Sequence, residues 1–348
     1  MQTAACKCGK KDVTGTLGTK QTIDLAATVD NGNGKATDGK LDLTTIGYNG
    51  NAEVTLTADE ATYYATVQNG VVSLATVLPL GIYGEKAFGI SVTDKNETYN
   101  VTINALVVTM TIMTSDQYAN WIKIANACET ENQILGGYFK LGANITSATM
   151  VTFERWDVDG AYGFKGIFDG CGYAIDGLTA TGNAFISCMT KDGVLRNIAF
   201  TNAKIAGESN FLCSGGLGTI ENVYVQYVSI SAGSDYNGTI YNHCRSEQEG
   251  GKITNVFVDA SQAVISGTGA SFRLLGGSNT GYNGIFAVCP EGYTITQARD
   301  TGTFADHAVC AFADFDELKA NETTQSVIKD WNSAYWTIGD GVPVFLTK

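Results

Sequence analysis

Alternation of apolar and polar residues dominates the first third of the chain. Ile23, Leu25, Ala27 and Val29 alternate with polar neighbours. So do Leu41 and Leu43, Val54 and Leu56, Phe88, Ile90 and Val92, and Tyr99, Val101 and Ile103. A period of two sends one side of a strand to a core and the other to water. Asn69-Gly70 separates two such runs, and that dipeptide accepts the positive φ that both central residues of a tight hairpin need. The pattern predicts about seven short strands over residues 13–112, arranged as an immunoglobulin-like sandwich. The Cys…Trp…Cys signature of antibody domains does not occur in this stretch, so the expectation is a spacer or docking module. Residues 1–12 read as a flexible tail carrying the thiols of Cys6 and Cys8.

Helical spacing takes over after residue 113. Tyr118, Trp121, Ile122 and Ile124/Ala125 recur on one face, with Ser115 placed to cap the first turn. Such a helix can cover the open end of a following stack of strands, where backbone groups would otherwise stay unpaired. From Tyr138 onward the chain repeats itself. Gly193-Val-Leu195-Arg-Asn197-Ile198-Ala-Phe200 aligns without gaps with Gly218-Thr-Ile220-Glu-Asn222-Val223-Tyr-Val225 and with Gly251-Lys-Ile253-Thr-Asn255-Val256-Phe-Val258. Tyr173-Ala-Ile175-Asp-Gly177-Leu178-Thr-Ala180 is a fainter copy, with Gly177 in the place of the asparagine. A repeat of about 20 to 33 residues predicts stacked coils, each burying its apolar side on its neighbours. The residues flanking each asparagine would point inward and meet their counterparts about 4.8 Å along the axis. Asn197, Asn222 and Asn255 would sit in bends and bond one another through their amides.

The expected fold is therefore all-β: an Ig-like β-sandwich followed by a right-handed parallel β-helix over residues 113–348. Short helices would cap its amino-terminal end. Past Asp300, Asp314–Leu318 and Val327-Ile328 read as helix, and Trp331, Tyr335-Trp336 and Pro343-Val344-Phe345 would form an aromatic cap on the last coil.

Composition narrows the function. The 348 residues hold 22 Lys+Arg against 35 Asp+Glu, a net charge of −13. Phosphate recognition needs clustered basic residues, so nucleic acid is not an expected partner. No apolar run approaches the roughly 20 residues that span a bilayer. Gly is abundant at 41 and Pro scarce at 3, which suits many tight turns between strands. The nine cysteines are irregularly spaced and read as small buried apolar residues rather than a disulfide framework. No apolar segment precedes Cys6, so the expectation is cytoplasmic synthesis and release by another route, or a leader already removed.

Candidate chemistry is sparse. Glu154, Asp157, Asp159, Asp169 and Asp176 are the carboxylates from which a polysaccharide hydrolase would draw its acid and base. Asp169 lies in a Phe-Asp-Gly turn, where bonding to backbone N–H groups is the expected role. His243 and His307, the latter three residues from Cys310, form no recognisable dyad. Asp30, Asn33 and Asp38 in a Gly-rich loop resemble a Ca²⁺ site without the EF-hand spacing; an ordinary solvated turn is the alternative. No other cofactor or metal is implied. Tyr227, Tyr236, Tyr241 and Tyr282, with Asn237 and Asn242 nearby, are expected in or beside variable loops. There, rings could stack on sugars and amides could bond hydroxyls, or the tyrosines could serve a protein interface. Tyr224 and Asn283 lie in the same region.

Tyr138-Phe-Lys-Leu141-Gly-Ala-Asn-Ile145, then Phe164-Lys-Gly166-Ile-Phe168-Asp169-Gly170-Cys-Gly172-Tyr-Ala-Ile175-Asp-Gly177-Leu178, resembles the opening coils of GLUG-type right-handed parallel β-helix proteins of bacterial surfaces. The ending Trp331…Trp336…Gly341-Val342-Pro343-Val344-Phe345 is similar to their terminal pattern. The resemblance spans residues 115–348, with Asn144 where that pattern often has Asp and without the GLUG tetrapeptide in the later coils. It implies adhesion or display. The combination also looks like surface fibres and decoration proteins of bacteriophages that infect gut bacteria. The resulting expectation is a non-catalytic protein on the virion surface that docks on other virion or surface proteins through its first module and presents its coils to glycans or proteins. Side-by-side packing of coils would favour a homo-oligomer such as a trimer. A polysaccharide lyase or hydrolase on the same scaffold, and a secreted bacterial adhesin, are the alternatives.

Overall fold

The computed structural model describes residues 11–16, 21–24, 40–44, 48–73, 82–94, 97–130, 134–147, 163–182, 184–207, 210–216, 218–231, 238–243, 252–267, 273–275, 282–298 and 308–348. The chain is mostly β, with few helices. It divides into two compact units, Met1–Thr111 with Gly136–Phe139, and Ile112–Leu135 with Lys140–Lys348.

The first unit contains an 8-stranded sheet. Its strands follow the order Lys11–Thr16, Glu97–Val108, Gly84–Asp94, Ala52–Ala58, Ala61–Gln68, Val71–Ser73 and Lys40–Asp42, with Gln21–Asp24 also on Glu97–Val108. Lys11–Thr16 and Gln21–Asp24 pair parallel to Glu97–Val108, and the remaining pairs are antiparallel. The alternating residues do what their period demands. Leu41, Leu43, Val54, Leu56, Phe88, Ile90, Val92, Val101 and Ile103 are buried in one cluster. Leu41 stands at one end of the strand path and Val101 near the other, yet both share that core. The described residues of this unit include no α-helix.

Two tight turns set the registers. Asn69 (φ 50°) and Gly70 (φ 79°) link Gln68 to Val71, and a Cβ on Gly70 would collide with the Tyr48 carbonyl oxygen. Asp59 and Glu60 make an equivalent turn at φ 48° and 65° without glycine, where Lys86 Nζ holds the Asp59 carboxylate at 2.6 Å.

The second unit opens with the helix Ser115–Thr130, which buries Tyr118, Trp121, Ile122 and Ala125. Its cap differs from expectation. Gln117 N donates to Thr114 Oγ1 at 3.2 Å, and the Gln117 side chain reaches back to Met113 N at 2.7 Å. Ser115 lies one position too far along to cap, and its hydroxyl instead donates to the Thr146 carbonyl at 2.8 Å.

After the helix the chain passes back and forth between two sheets. One is 7-stranded and parallel: Ile134–Leu135, Gly163–Phe164, Ile186–Met189, Asn210–Gly216, Gly238–His243, Arg273–Leu275 and Thr296–Ala298. The other carries Ile167–Asp169, Val194–Ile205, Thr219–Ser231, Lys252–Asp259, Tyr282–Val288 and Val309–Phe312, again parallel and in that order. Each passage forms one rung. In-register columns then follow: Phe168, Leu195, Ile220, Ile253 and Tyr282 form one, and Ile198, Val223, Val256, Ile285 and Val309 another. All are buried. Aromatic rings join the sheets from within: Trp121 meets Phe168 at 4.7 Å, Phe168 meets Phe185 at 5.1 Å, Phe185 meets Phe200 at 5.0 Å, Phe200 meets Phe211 at 5.4 Å and Phe211 meets Tyr227 at 5.3 Å. Trp121 of the helix thus covers the first rung.

Two expectations are corrected. Gly177 does not stand opposite Asn197; Asp169 pairs with Arg196, which puts Gly170 there, while Asp176 pairs with Thr201 and Gly177 faces Asn202. The faint copy belongs to the second corner of the rung: Gly177 (φ 84°) and Asn202 (φ 50°), the latter five positions beyond Asn197, are both left-handed. The carboxy-terminal segment also does more than end the stack. Leu318, Ile328, Trp331, Trp336 and Phe345 pack on an outward column of Ala174, Ala199, Phe257 and Phe286. Trp331 stacks on Phe286 at 5.9 Å. Lys348 N donates to Gly172 O at 3.0 Å and Asn144 Nδ2 donates to Lys348 O at 2.9 Å. The segment therefore runs across the outside of the rungs from late to early ones. Outward apolar residues require a cover, and this segment supplies it.

Candidate functional site

The corner that precedes the inward Ile198, Val223 and Val256 column needs a left-handed backbone. Asn197, Asn222 and Asn255 adopt φ of 54°, 53° and 56°, a region that asparagine tolerates better than other side chains. Once there, their amides are stacked at strand spacing. Asn222 Nδ2 donates to Asn197 Oδ1 at 3.1 Å, and Asn255 Nδ2 donates to Asn222 Oδ1 at 3.1 Å. The series ends on a carboxylate, Asn197 Nδ2 donating to Asp169 Oδ1 at 3.0 Å. At the other end Gly284 (φ 68°) takes the corner, where a Cβ would lie 3.1 Å from Trp331 Nε1 and 3.5 Å from Asn255 Oδ1.

Asp169 is buried and its oxygens are fully engaged. Oδ1 also accepts from Cys171 N at 2.9 Å, and Oδ2 accepts from Arg196 Nε at 2.8 Å. Arg196 Nη1 lies 3.8 Å from Glu221 Oε1. Burial, then the Asp169 charge, push the Cys171 thiol up to about 12. Burial, then Asp169, also raise Tyr335. At the next corner Asp176 accepts through Oδ1 from Thr201 Oγ1 at 2.7 Å and Asn202 Nδ2 at 2.6 Å. Glu154, Asp157 and Asp159 lie outside the described residues.

The tyrosines expected on the surface separate into three groups. Tyr227 is fully buried, its hydroxyl bonded to Thr239 Oγ1 at 3.2 Å, because it continues the inward parity of Val223 and Val225. Tyr282 is also buried, since it occupies the column of Leu195, Ile220 and Ile253. Both are therefore corrected from surface to core positions. Tyr224 is half-buried, stacked on Phe257 at 6.1 Å, with its hydroxyl 3.4 Å from Asp259 Oδ2. Tyr236 and Asn237 lie outside the described residues, as do the side chains of Tyr241, Asn242 and His243, the whole of His307, and the Ca²⁺ candidates Asp30, Asn33 and Asp38. Among the described residues, no group of three His, Cys, Asp or Glu side chains is placed to hold a metal ion, and no helix is long and apolar enough to cross a membrane.

Among the described residues, the most exposed large ring is one that sequence reasoning passed over. Tyr64 is 79% exposed. It stands on the outward side of the first unit's sheet, opposite Thr55, which is opposite Ser91, which is opposite Asn100. The adjacent row is Thr62, Thr57, Gly89 and Thr102. Gly89 leaves a depression lined by Thr57, Ser91, Asn100 and Thr102. Alternation was the available signal, because residues between core positions must face out. The chain matches no family model, no curated protein and no solved structure.

Proposed function

We propose that the protein is a non-catalytic display protein, built from an Ig-like module and a right-handed parallel β-helix of the GLUG-like kind, on the outer surface of a bacteriophage particle. The observation that carries the reading is the use made of Asp169 and Asp176. Both oxygens of Asp169 are bonded to backbone, arginine and asparagine, and Asp176 Oδ1 is bonded to threonine and asparagine, whereas a hydrolase needs its pair converging on open space. Alternating passage between two parallel sheets, with in-register columns, supports the β-helix. The parallel pairing of Lys11–Thr16 with Glu97–Val108 and the single core shared by strands from both ends of the one sheet support an Ig-like module. Cys188, Cys213 and Cys289 are buried thiols outside any disulfide, which suits a chain folded in a reducing cytoplasm before lysis releases it.

In this reading the first module docks on neighbouring virion proteins or engages the host surface, and the stacked rungs act as a stiff, protease-resistant body. Packing of several copies side by side, three being a plausible closed number, would complete the assembly. Peptide mass spectrometry of purified virions and of cell envelopes from the same culture tests the location. Recovery from virions supports the proposal. Recovery from envelopes alone overturns it in favour of an adhesin. Release of reducing ends from a polysaccharide, abolished by Asp169→Asn in a folded protein, would overturn it in favour of an enzyme.

A further inference from the structure

We infer that the open edge of the strand Ala61–Gln68 is a self-association site, through which two copies of this chain join their first-unit sheets edge to edge about a two-fold axis. The inference goes beyond the display reading and does not depend on it.

This strand is paired along its length on one side only. There Ala61 to Val67 lie opposite Ala58 to Ala52. On the other side Val71–Ser73 meets Val67 and Gln68 and goes no further. Among the described residues, no strand pairs with residues 61–66 on that side. The tight turns fix which backbone groups face the gap. Asp59-Glu60 and Asn69-Gly70 are both two-residue turns with positive φ at both positions, and the residues flanking such a turn exchange N–H and C=O bonds with each other. Ala61 therefore bonds toward Ala52–Ala58, as do Tyr63 and Ala65, because direction alternates along a strand. Gln68 bonds toward Val71–Ser73 by the same rule. Both turns thus give one phase: Thr62, Tyr64 and Thr66 aim their N–H and C=O groups at the open side.

The core is unfinished along the same line. Leu56 and Val54 are 0% and 2% exposed, yet their cross-strand partners Tyr63 and Ala65 stay half-exposed. Val67, the inward residue that Val71–Ser73 does cover, is 2% exposed. A further strand closes the core where one is present. Edge strands ordinarily carry a charge, a proline or a bulge that deters pairing. Ala61-Thr-Tyr-Tyr-Ala-Thr66 has neither charge nor proline, and its register with Ala52–Ala58 is unbroken.

The gap fits a second copy of the same strand. Val71–Ser73 blocks it beyond Thr66, so an incoming antiparallel strand must turn away within a few residues. Ala61–Gln68 begins at such a turn. With Tyr63 of one copy opposite Tyr63 of the second, Thr62 faces Tyr64, Ala61 faces Ala65, and the turn Asp59-Glu60 arrives where the gap ends. The phase is the required one. Thr62 and Tyr64 exchange their open backbone groups, while the Tyr63 rings meet on the core side, where aromatic cross-strand pairs stabilise a sheet. A two-fold contact consumes both open edges, so association closes at two copies.

The full-length protein is followed by light scattering over a concentration series. The expected species has twice the 36.8 kDa mass of the chain and dissociates on dilution. Thr62→Lys, which places a charge on the edge, should raise the dissociation constant roughly tenfold or more. Tyr64→Pro should do the same, since the N–H it removes faces the gap and makes no bond within the sheet. Should the proline variant fold poorly, Thr62→Lys carries the test, with unchanged thermal unfolding as its check. Oxidised Tyr63→Cys should give a two-chain band on a non-reducing denaturing gel beyond any that the wild-type thiols give, because such facing residues sit about 4.5 Å apart at Cα. Adding Thr62→Lys should remove that band. A single-chain mass at every concentration overturns the inference. Association that both edge substitutions leave unchanged overturns it by placing the contact elsewhere, and larger species that they abolish overturn the two-fold closure. A wild-type gel pattern from Tyr63→Cys overturns the register. None of these outcomes bears on recovery from virions, so the display reading stands or falls separately.

Discussion

Replacing Asn222 tests the amide series where it is most committed. The side chain is 6% exposed, at φ 53°, and makes one donor and one acceptor bond, each 3.1 Å long. Asn222→Gly removes both bonds and keeps the backbone free to stay left-handed. At a net of about 1 kcal/mol for each bond, and more if Asn197 Oδ1 is left unpaired, the loss is roughly 2–3 kcal/mol. Asn222→Ala removes the same bonds and also forces a Cβ into the left-handed region. That adds roughly 1 kcal/mol after allowing for the extra freedom glycine gains when unfolded. The assay is denaturant unfolding followed by tryptophan fluorescence. All four tryptophans, at positions 121, 156, 331 and 336, belong to the second unit, so the signal reports that unit alone. The midpoint should fall in the order wild type, glycine, alanine, with Asn283→Ala, an exposed neighbour of the corner, unchanged. An alanine variant as stable as the glycine variant would refute the backbone argument. Both variants at the wild-type midpoint would refute the bonding argument.

Other outcomes follow from the same geometry. Asp169→Asn replaces an oxygen that accepts from Arg196 Nε with an amide that can only donate toward it, so unfolding free energy should drop by about 2–3 kcal/mol in the same assay. The Cys171 thiol, held up to about 12, should stay unreactive toward a maleimide at pH 8 and react at once in denaturant. Because its folded pKa lies above the unfolded value, the proton is lost first by the unfolded chain. Its stabilising contribution is complete below about pH 8.5 and disappears as pH rises toward 12, which a urea series at pH 8, 9.5 and 11 would measure. Thr114→Ala should cost about 1 kcal/mol through loss of the helix cap, and more than Ser115→Ala; equal losses would contradict the cap assignment.

The strands of the first unit and the Asn positions were legible because period-two alternation and left-handed corners are local properties of sequence. Leu41, Val54, Phe88 and Ile103 fell into one core for that reason. The faint copy around Gly177 misled because each rung has two left-handed corners, and Gly177 shares the second with Asn202 rather than the first with Asn197. Tyr282 was misplaced because its rung carries Gly284 in place of asparagine, which hid the register linking it to Leu195. The path of the carboxy-terminal segment was not readable from periodicity at all. The clue was parity: Ala199, Tyr224, Phe257 and Phe286 point outward and are apolar, so some distant part of the chain had to lie over them. The Tyr64 rows needed strand pairing before they became a surface, since their members come from four strands.

Arrays of repeats ordinarily change length easily during evolution, by gaining or shedding a unit at no cost to the others. The lengthwise strap from Trp331 to Lys348 removes that freedom. Its two anchorages, on Phe286 and on Gly172, are separated by a fixed count of strand spacings, so inserting or deleting a single layer would shift one anchorage by about 4.8 Å and unseat it. Descendants of this chain should therefore vary in the excursions between layers while keeping the number of layers constant, and recombination between copies should be tolerated only when strap and stack are exchanged together.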